Sequence, residues 1–261
     1  MAFVEGQSRA LVTGAGGGLG RHLVLALVKR GVAVALTDVA GTALAETQRL
    51  ARSSETETLV IAADLTEDGV PDRIIAEVIA KCGRLDVLIN NAAYGGIEPF
   101  LDMTSGLWDK TLAINVKALA LLTVAAGRAM KQQRSGRIVN VTSPASRMAL
   151  PNYAAYAASK AAVDSITRSA AIALAPFGVL VNSVAPGMMD TEMQRSTEAR
   201  LAAVEGRADV RAFLDERTRR VPLGRRAEID EVAAAIVWLA LDAPAYITAE
   251  RLNASGGLDK D

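Results

Sequence analysis

The chain has one cysteine, only 4% aromatic residues and no formal net charge, with 29 Lys and Arg balancing 29 Asp and Glu over 261 residues. A lone Cys82 cannot close an internal disulfide, so a disulfide-stapled secreted fold is excluded and a reducing compartment is expected. Zero net charge leaves no global field to attract a phosphate backbone or an anionic membrane, so neither nucleic-acid nor membrane binding is expected. No apolar run reaches the roughly 18 residues that span a bilayer. Glu5 and Arg9 lie where a secretory signal would need an apolar segment. These features predict a cytoplasmic protein. What the chain does have is a 51% hydrophobic share, which excludes disorder and collagen and supplies a sizeable core.

Short β-branched runs alternate with longer helical periods along the whole length. Strands are predicted at 9–13, 33–37, 59–62, 85–89, 137–141 and 179–184. Helices are predicted at 19–30, from about 42, at 70–81, 105–133, 154–175 and 228–241. Near-continuous apolar strands between helices predict a parallel sheet covered on both faces, a doubly wound α/β fold of Rossmann type. No long linker or repeat breaks the alternation, so one domain is expected. Residues 188–226 form a helical insert that resembles a lid. Ligands should bind at the strand C-terminal ends.

The first predicted strand runs into Thr13-Gly14-Ala15-Gly16-Gly17-Gly18-Leu19-Gly20 and then a helix. Glycines there let the backbone approach a pyrophosphate and aim N–H groups at its charge. Asp38 ends the second strand, 20 residues after Gly18, where a carboxylate would accept hydrogen bonds from ribose hydroxyls and disfavour a 2′-phosphate. The plainer alternative is an Asp that only caps the next helix. Asp64-Leu65 fits an adenine contact or an N-cap. The lone His22 has no companion ligands, so no metal is expected.

Tyr156-Ala157-Ala158-Ser159-Lys160 places a phenol and an ammonium four residues apart, on one helix face. A free Tyr is only about 0.1% ionised at pH 7, and a nearby cation favours the phenolate and makes a usable acid/base. The same spacing also suits an ordinary surface pair. Tyr153 can line the cleft or simply pack. The Met188-Met189 pair can wall a substrate or fill core. The arginines of the lid make solvated helix faces, with closure of one Arg over an anionic substrate as the sharper reading.

Together these residues resemble the short-chain dehydrogenase/reductase family over nearly the whole chain. Asn90-Asn91-Ala92, Asn115, Ser143 (13 residues before Tyr156) and Pro186-Gly187 add to the glycine turn and Tyr156/Lys160. Pro144 and Asn253-Ala254-Ser255-Gly256-Gly257 depart from the common pattern.

The resemblance implies that Tyr156 exchanges the proton, Ser143 binds the substrate oxygen, Lys160 binds the nicotinamide ribose and lowers the Tyr156 pKa, and Asn115 holds a water. It implies a dinucleotide site of Gly14, Gly18, Leu19, Gly20, Asp38, Asp64, Leu65, Asn91, Tyr156, Lys160, Pro186, Gly187, Met189 and Thr191. Substrate would meet Ser143, Ala145, Tyr153, Tyr156 and Met188. The expected activity is NAD-dependent interconversion of a secondary alcohol and its ketone by a homotetramer or dimer. The alternatives are an NADPH-type reductase of a ketone or 3-oxoacyl group, a non-catalytic NAD-binding regulator, and a nucleotide-sugar epimerase or dehydratase.

Overall fold

A computed structural model describes residues 7–52 and 56–258. Its framework is a seven-stranded, all-parallel sheet in the order β3-β2-β1-β4-β5-β6-β7. The strands are β1 (Arg9–Thr13), β2 (Ala33–Asp38), β3 (Thr58–Ala62), β4 (Val87–Asn90), β5 (Gly136–Val141), β6 (Val179–Pro186) and β7 (Arg251–Ala254). The helices are α1 (Gly18–Lys29), α2 (Gly41–Ala51), α3 (Val70–Cys82), α4 (Ser105–Leu112), α5 (Leu119–Gln133), α6 (Ala154–Leu174), α7 (Glu192–Val204), α8 (Val210–Arg219) and α9 (Ile229–Val237).

Successive strand residues point to opposite faces, so each buried strand feeds two cores. Ala10, Val12, Val34, Leu36, Val87 and Ile89 join Leu23, Leu27, Leu44 and Ile236 on the α1, α2 and α9 side. Leu11, Ala35, Leu88 and Ile138 join Ile74, Val78, Leu122 and Met130 on the α3, α5 and α6 side. Both faces are covered, which is why these strands read as continuous apolar runs. The strand order reverses between β1 and β4, and the loops after these two strands open the crevice where such folds take their ligands.

Three features differ from the sequence-based expectation. β7 was not predicted, because Arg251-Leu252-Asn253-Ala254 is short and half polar, yet it pairs Ser183 to Pro186 and closes the sheet edge. The helix at 105–133 is not uniform: Ala113–Ala118 is a π-helical turn joining α4 to α5 and holding Asn115. Ser105–Gln133 is also long and apolar enough, by length and composition, to cross a membrane. Counting unbroken runs missed this because Lys110, Lys117 and Arg128 interrupt it; here α5 packs against α3 and α6.

A buried amide ladder ties β4 to β5. Asn90 Nδ2 donates to Asn140 Oδ1 at 2.8 Å and to Thr123 Oγ1 at 3.1 Å, and Asn140 Nδ2 donates to Thr167 Oγ1 at 2.9 Å. Asn90 is thus scaffold, and its neighbour Asn91 faces the crevice.

The turn after β1 is set by close approach. A Cβ at Gly20 would lie 1.9 Å from the Gly14 carbonyl oxygen, whereas one at Gly17 would meet nothing within 4 Å. Gly20→Ala is therefore expected to cost about 1–3 kcal/mol of overpacking and to lower the urea midpoint. Gly17→Ala should leave that midpoint in place, and equal midpoints for the two variants would contradict this packing.

Candidate active site

The loops at the C-terminal strand ends enclose a cleft of about 930 Å³. One half of it is built by the glycine turn. Gly14 has a φ of +64°, and a Cβ there would stand 2.9 Å from Ala92 Cα. Gly16 N–H donates to Asp38 Oδ2 at 3.0 Å and Val39 N–H donates to Oδ1 at 2.7 Å, so the carboxylate is held at the turn. Ala40 takes the cap position of α2, which removes the capping reading of Asp38. Arg21, the nearest cation in sequence, is turned away and donates to the Gly16 carbonyl at 2.6 Å and to Thr47 Oγ1 at 3.0 Å.

Asp64 accepts from Thr66 N–H at 2.9 Å and Thr66 Oγ1 at 2.7 Å, which holds its carboxyl below the ordinary value. That is a local turn, since α3 begins only at Val70. Asn91 Nδ2 donates to the carbonyls of Thr13 (3.0 Å) and Gly14 (3.3 Å), locking β4 to the turn. Gly14, Gly18, Leu19, Asp38, Asp64, Leu65, Asn91, Pro186, Gly187, Met189 and Thr191 all line the cleft. Gly20 does not line it; its part is the close packing beneath the turn.

The other half rises from β5 and α6. Ser143, two residues past the end of β5, is in extended backbone and caps the short turn that follows, its Oγ accepting from Ala145 N–H at 3.2 Å; Pro144 opens that turn, a position where proline's missing N–H is harmless. The Ser143 hydroxyl lies near enough to the Tyr156 phenol to favour its ionised form. Lys160 is 2% exposed, donates from Nζ to the Val141 carbonyl at 2.8 Å, and lies 5.5 Å from the centre of the Tyr156 ring.

Burial lowers the Lys160 pKa to about 8, an effect that the nearby Asp164 carboxylate opposes. The Tyr156 phenol is pushed up by burial, with the Ser143 hydroxyl pulling the other way. This corrects the expectation of a phenol depressed by Lys160. The ammonium is spent on a main-chain carbonyl, and desolvation of the phenolate dominates.

Asn115 is 1% exposed and does not line the cleft. Its Oδ1 accepts from Tyr94 N–H at 2.7 Å, and its Nδ2 donates to the Tyr94 carbonyl (2.9 Å) and to Ser159 Oγ (3.0 Å). Its side chain braces the loop after β4 against α6. Both Nδ2 hydrogens are thereby engaged, while Oδ1 keeps one lone pair.

Of the expected substrate residues, Ser143, Tyr153 and Tyr156 line the cleft, but Ala145 and Met188 do not. Ala145 is buried behind Ser143, and Met188 turns to a separate cavity beside Val221 and Leu223. Adjacent residues in extended backbone face opposite ways, so Met189 enters the cleft and Met188 leaves it. Tyr153 stacks on Tyr156 with ring centroids 4.4 Å apart, and its hydroxyl lies on the side of Thr197 of α7. Gly95 makes room for that hydroxyl, which would lie 2.7 Å from a Cβ. Sequence reasoning missed Lys110, Glu192, Met193 and Thr197 on the cleft wall, because each sits on a helix with no motif of its own.

Among the described residues no arginine of the lid lines the cleft. Instead Glu198, 1% exposed, takes Arg226 in a fork at 2.9 and 3.0 Å and Arg217 at 3.3 Å, fastening α7 to α8 and to the segment before α9. His22 sits against Asp230 at 2.6 Å on the surface, and no cluster of metal-ligating side chains occurs among the described residues.

Comparison with known proteins agrees with this geometry. Residues 14–259 match the family model described as Enoyl-(Acyl carrier protein) reductase. The sorbitol dehydrogenase of Cereibacter sphaeroides is 34% identical over 251 residues, 95% of this chain and 96% of that one. An NAD+-bound xylitol dehydrogenase structure superposes with a TM-score of 0.92 at 32% identity, covering 96% and 98% of the two chains. An actinorhodin polyketide ketoreductase with NADPH superposes at 0.94 with 30% identity, covering 100% of each. A dinucleotide crevice at the sheet's switch point, with a Ser, Tyr and Lys gathered beside it, defines a class of oxidoreductases. The chain belongs to the short-chain dehydrogenase/reductase family.

Removing Glu198 would leave two guanidinium groups facing each other under the lid. Glu198→Ala is expected to weaken the lid by about 3–5 kcal/mol, the usual cost of breaking a buried ion pair from one side. Amide exchange should quicken across 192–219 before the sheet is affected. Unchanged exchange there would show that the network carries no weight.

Proposed function

We propose that the protein oxidises a secondary alcohol to the ketone with NAD, and runs the reverse reduction. The observation that carries this reading is the meeting of the Ser143 and Tyr156 side chains on the cleft wall, with the Lys160 ammonium buried beside them.

The residues present fit a dinucleotide. Gly14 and Gly20 stand where a Cβ would collide with the turn or with the loop after β4, and Asp38 presents a carboxylate beside them. Gly14, Gly18, Leu19, Asn91, Pro186, Gly187, Met189 and Thr191 would hold it, with Asp64 and Leu65 at the adenine end and Lys160 at the nicotinamide ribose. NAD, once bound, supplies the hydride acceptor.

The chain's own residues do the rest. Ser143 Oγ hydrogen-bonds the substrate oxygen and holds it against Tyr156. Tyr156 Oη takes the hydroxyl proton as the carbonyl forms, and returns it in the reverse direction. Burial favours the neutral phenol, which suits proton donation to a ketone; oxidation needs the phenolate and should rise with pH. Tyr153 and the lid residues Met193 and Thr197 wall the substrate space.

NAD is favoured over NADP because the cations on the cleft wall are Lys110 of α4 and Lys160 of α6, while Asp38 would face a 2′-phosphate with like charge. The sorbitol and xylitol dehydrogenase relatives put polyols first among substrates to screen. The same proposal includes a homo-oligomer, supported by exposed Leu121 and Val124 on α5 and Ile172 on α6, and a cytoplasmic location, supported by a lone, buried Cys82 thiol that burial pushes up to about 11.

Tyr156→Phe is expected to reduce NADH formation by about 10²- to 10⁴-fold while NADH binding persists; near-normal turnover would overturn the assignment. Asp38→Ala removes charged hydrogen bonds worth about 1.5–3 kcal/mol, so the KM for NAD should rise about 10- to 100-fold with no matching rise for NADP. Equal rises for both cofactors would contradict the ribose reading.

A further inference from the structure

Beneath the reacting groups lies a second charge pair that the mechanism above does not use. Arg251, the first residue of β7, reaches back over the strand ends to the Ser143 turn. Its Nη2 donates to the Ser143 main-chain carbonyl at 3.1 Å and to Ser146 Oγ at 3.4 Å, and its Nη1 donates to Asn253 Oδ1. Its Nε stands 3.4 Å from Asp164 Oδ2, and the two side chains are 8% and 9% exposed. Asp164 lies four residues after Lys160 on α6, one helical turn along the same face. Asp164 Oδ1 accepts no hydrogen bond among the described residues, so Arg251 is the cation its charge is held against.

The pair therefore joins the two halves of the chemistry. One end holds the main chain of Ser143, and the other lies under Lys160. A buried ion pair is a poor way to gain stability, since apolar side chains of equal volume do as well or better. Its placement under Ser143 and Lys160 suits orientation and charge.

Resting on the dehydrogenase reading above, we propose that Arg251 and Asp164 are a positioning pair for the Ser143, Tyr156 and Lys160 chemistry. The guanidinium fixes the Ser143 carbonyl and so the aim of its hydroxyl. The two opposite charges together set the field at Lys160 and Tyr156.

The other charged or titratable groups around this centre are Tyr153 just before α6, Lys110 on α4, Glu192 on α7, and Asp38 and Asp64 on the dinucleotide side. Arg217 of α8 acts on Tyr153. Of the pair, Asp164 favours the charged form of Lys160. Removing its negative charge must lower the titration midpoints of both Lys160 and Tyr156; removing the positive charge of Arg251 must raise them.

The test uses the full chain labelled with ¹³Cζ-tyrosine, with the Tyr156 signal assigned through Tyr156→Phe and titrated without substrate. Asp164→Asn should move the Tyr156 midpoint to lower pH and Arg251→Met to higher pH. Shifts in the same direction, or none, in variants with wild-type circular dichroism would overturn the proposal.

Arg251→Lys keeps the charge but loses the fork, so it should restore the titration and still lower kcat for NAD-linked sorbitol oxidation about tenfold, with the KM for NAD unchanged. A wild-type kcat in Arg251→Lys would overturn the positioning of Ser143. If the single variants fail to fold, Asp164→Leu with Arg251→Met removes both charges together and keeps the volume filled. That double variant should hold the Tyr156 midpoint near wild type and lose about tenfold in kcat; an unchanged kcat would overturn the proposal. Sorbitol inert to the wild-type enzyme, with the opposite titration shifts intact, would count against the substrate reading and leave the charge pair standing.

Discussion

A lysine almost wholly withdrawn from water is the constraint around which the rest of this site is arranged. Taking an ammonium out of water costs several kcal/mol unless other groups replace its hydration. For Lys160 those groups are the Val141 carbonyl at the end of β5 and the Asp164 carboxylate one turn along α6. Holding the ammonium there requires α6 to lie flat on β5 and β6, which fixes Tyr156 one turn earlier on the same helix. The Ser143 turn must then sit against the Tyr156 phenol, and Arg251 reaches in from β7 to hold it. Catalytic geometry and sheet geometry are the same problem here, because every group that holds Lys160 is delivered by a strand end or by α6 itself.

The opposite side of the crevice is held by contacts of another kind. No buried charge is needed where backbone approaches backbone, only the absence of side chains at Gly14 and Gly20 and an asparagine, Asn91, that crosses from β4 to the turn. One half of the cleft is thus a cradle defined by what is missing, and the other a polar cluster defined by what is buried. The lid spans both. Thr191 begins α7 beside Gly18, and Thr197 two turns later meets Tyr153. Glu198, next in sequence, is turned about 100° further round the helix into Arg217 and Arg226, so the cleft wall and the fastening of α7 are neighbouring residues on one helix.

Much of this was legible in the sequence because it repeats with a period. The strand runs, the glycine turn and Tyr156/Lys160 depend on local spacing, and each lies where that spacing put it. What was not legible depends on groups distant in sequence. β7 is too short and polar to announce itself and exists because Ser183 to Pro186 offer it an edge. That the Asn115 side chain braces the loop after β4 against α6, through three hydrogen bonds to Tyr94 and Ser159, has no signal in local spacing. Ala145, two residues after Ser143, and Met188, between Gly187 and Met189, are near cleft residues in the chain but do not line the cleft themselves. The direction of the Tyr156 shift was misjudged because spacing reports that a cation is near and says nothing of how deeply the phenol is buried.

The account stands on a buried Lys160 ammonium that gives up its proton far more readily than a lysine in water. Titrating the Lys160 Nζ resonance in ¹⁵N-lysine-labelled protein, assigned with Lys160→Met, measures this directly. A midpoint at about 8 is expected, against the ordinary 10.5. A midpoint at 10.5 would mean that the ammonium is hydrated, and that the arrangement of Val141, Asp164 and Tyr156 around it is wrong.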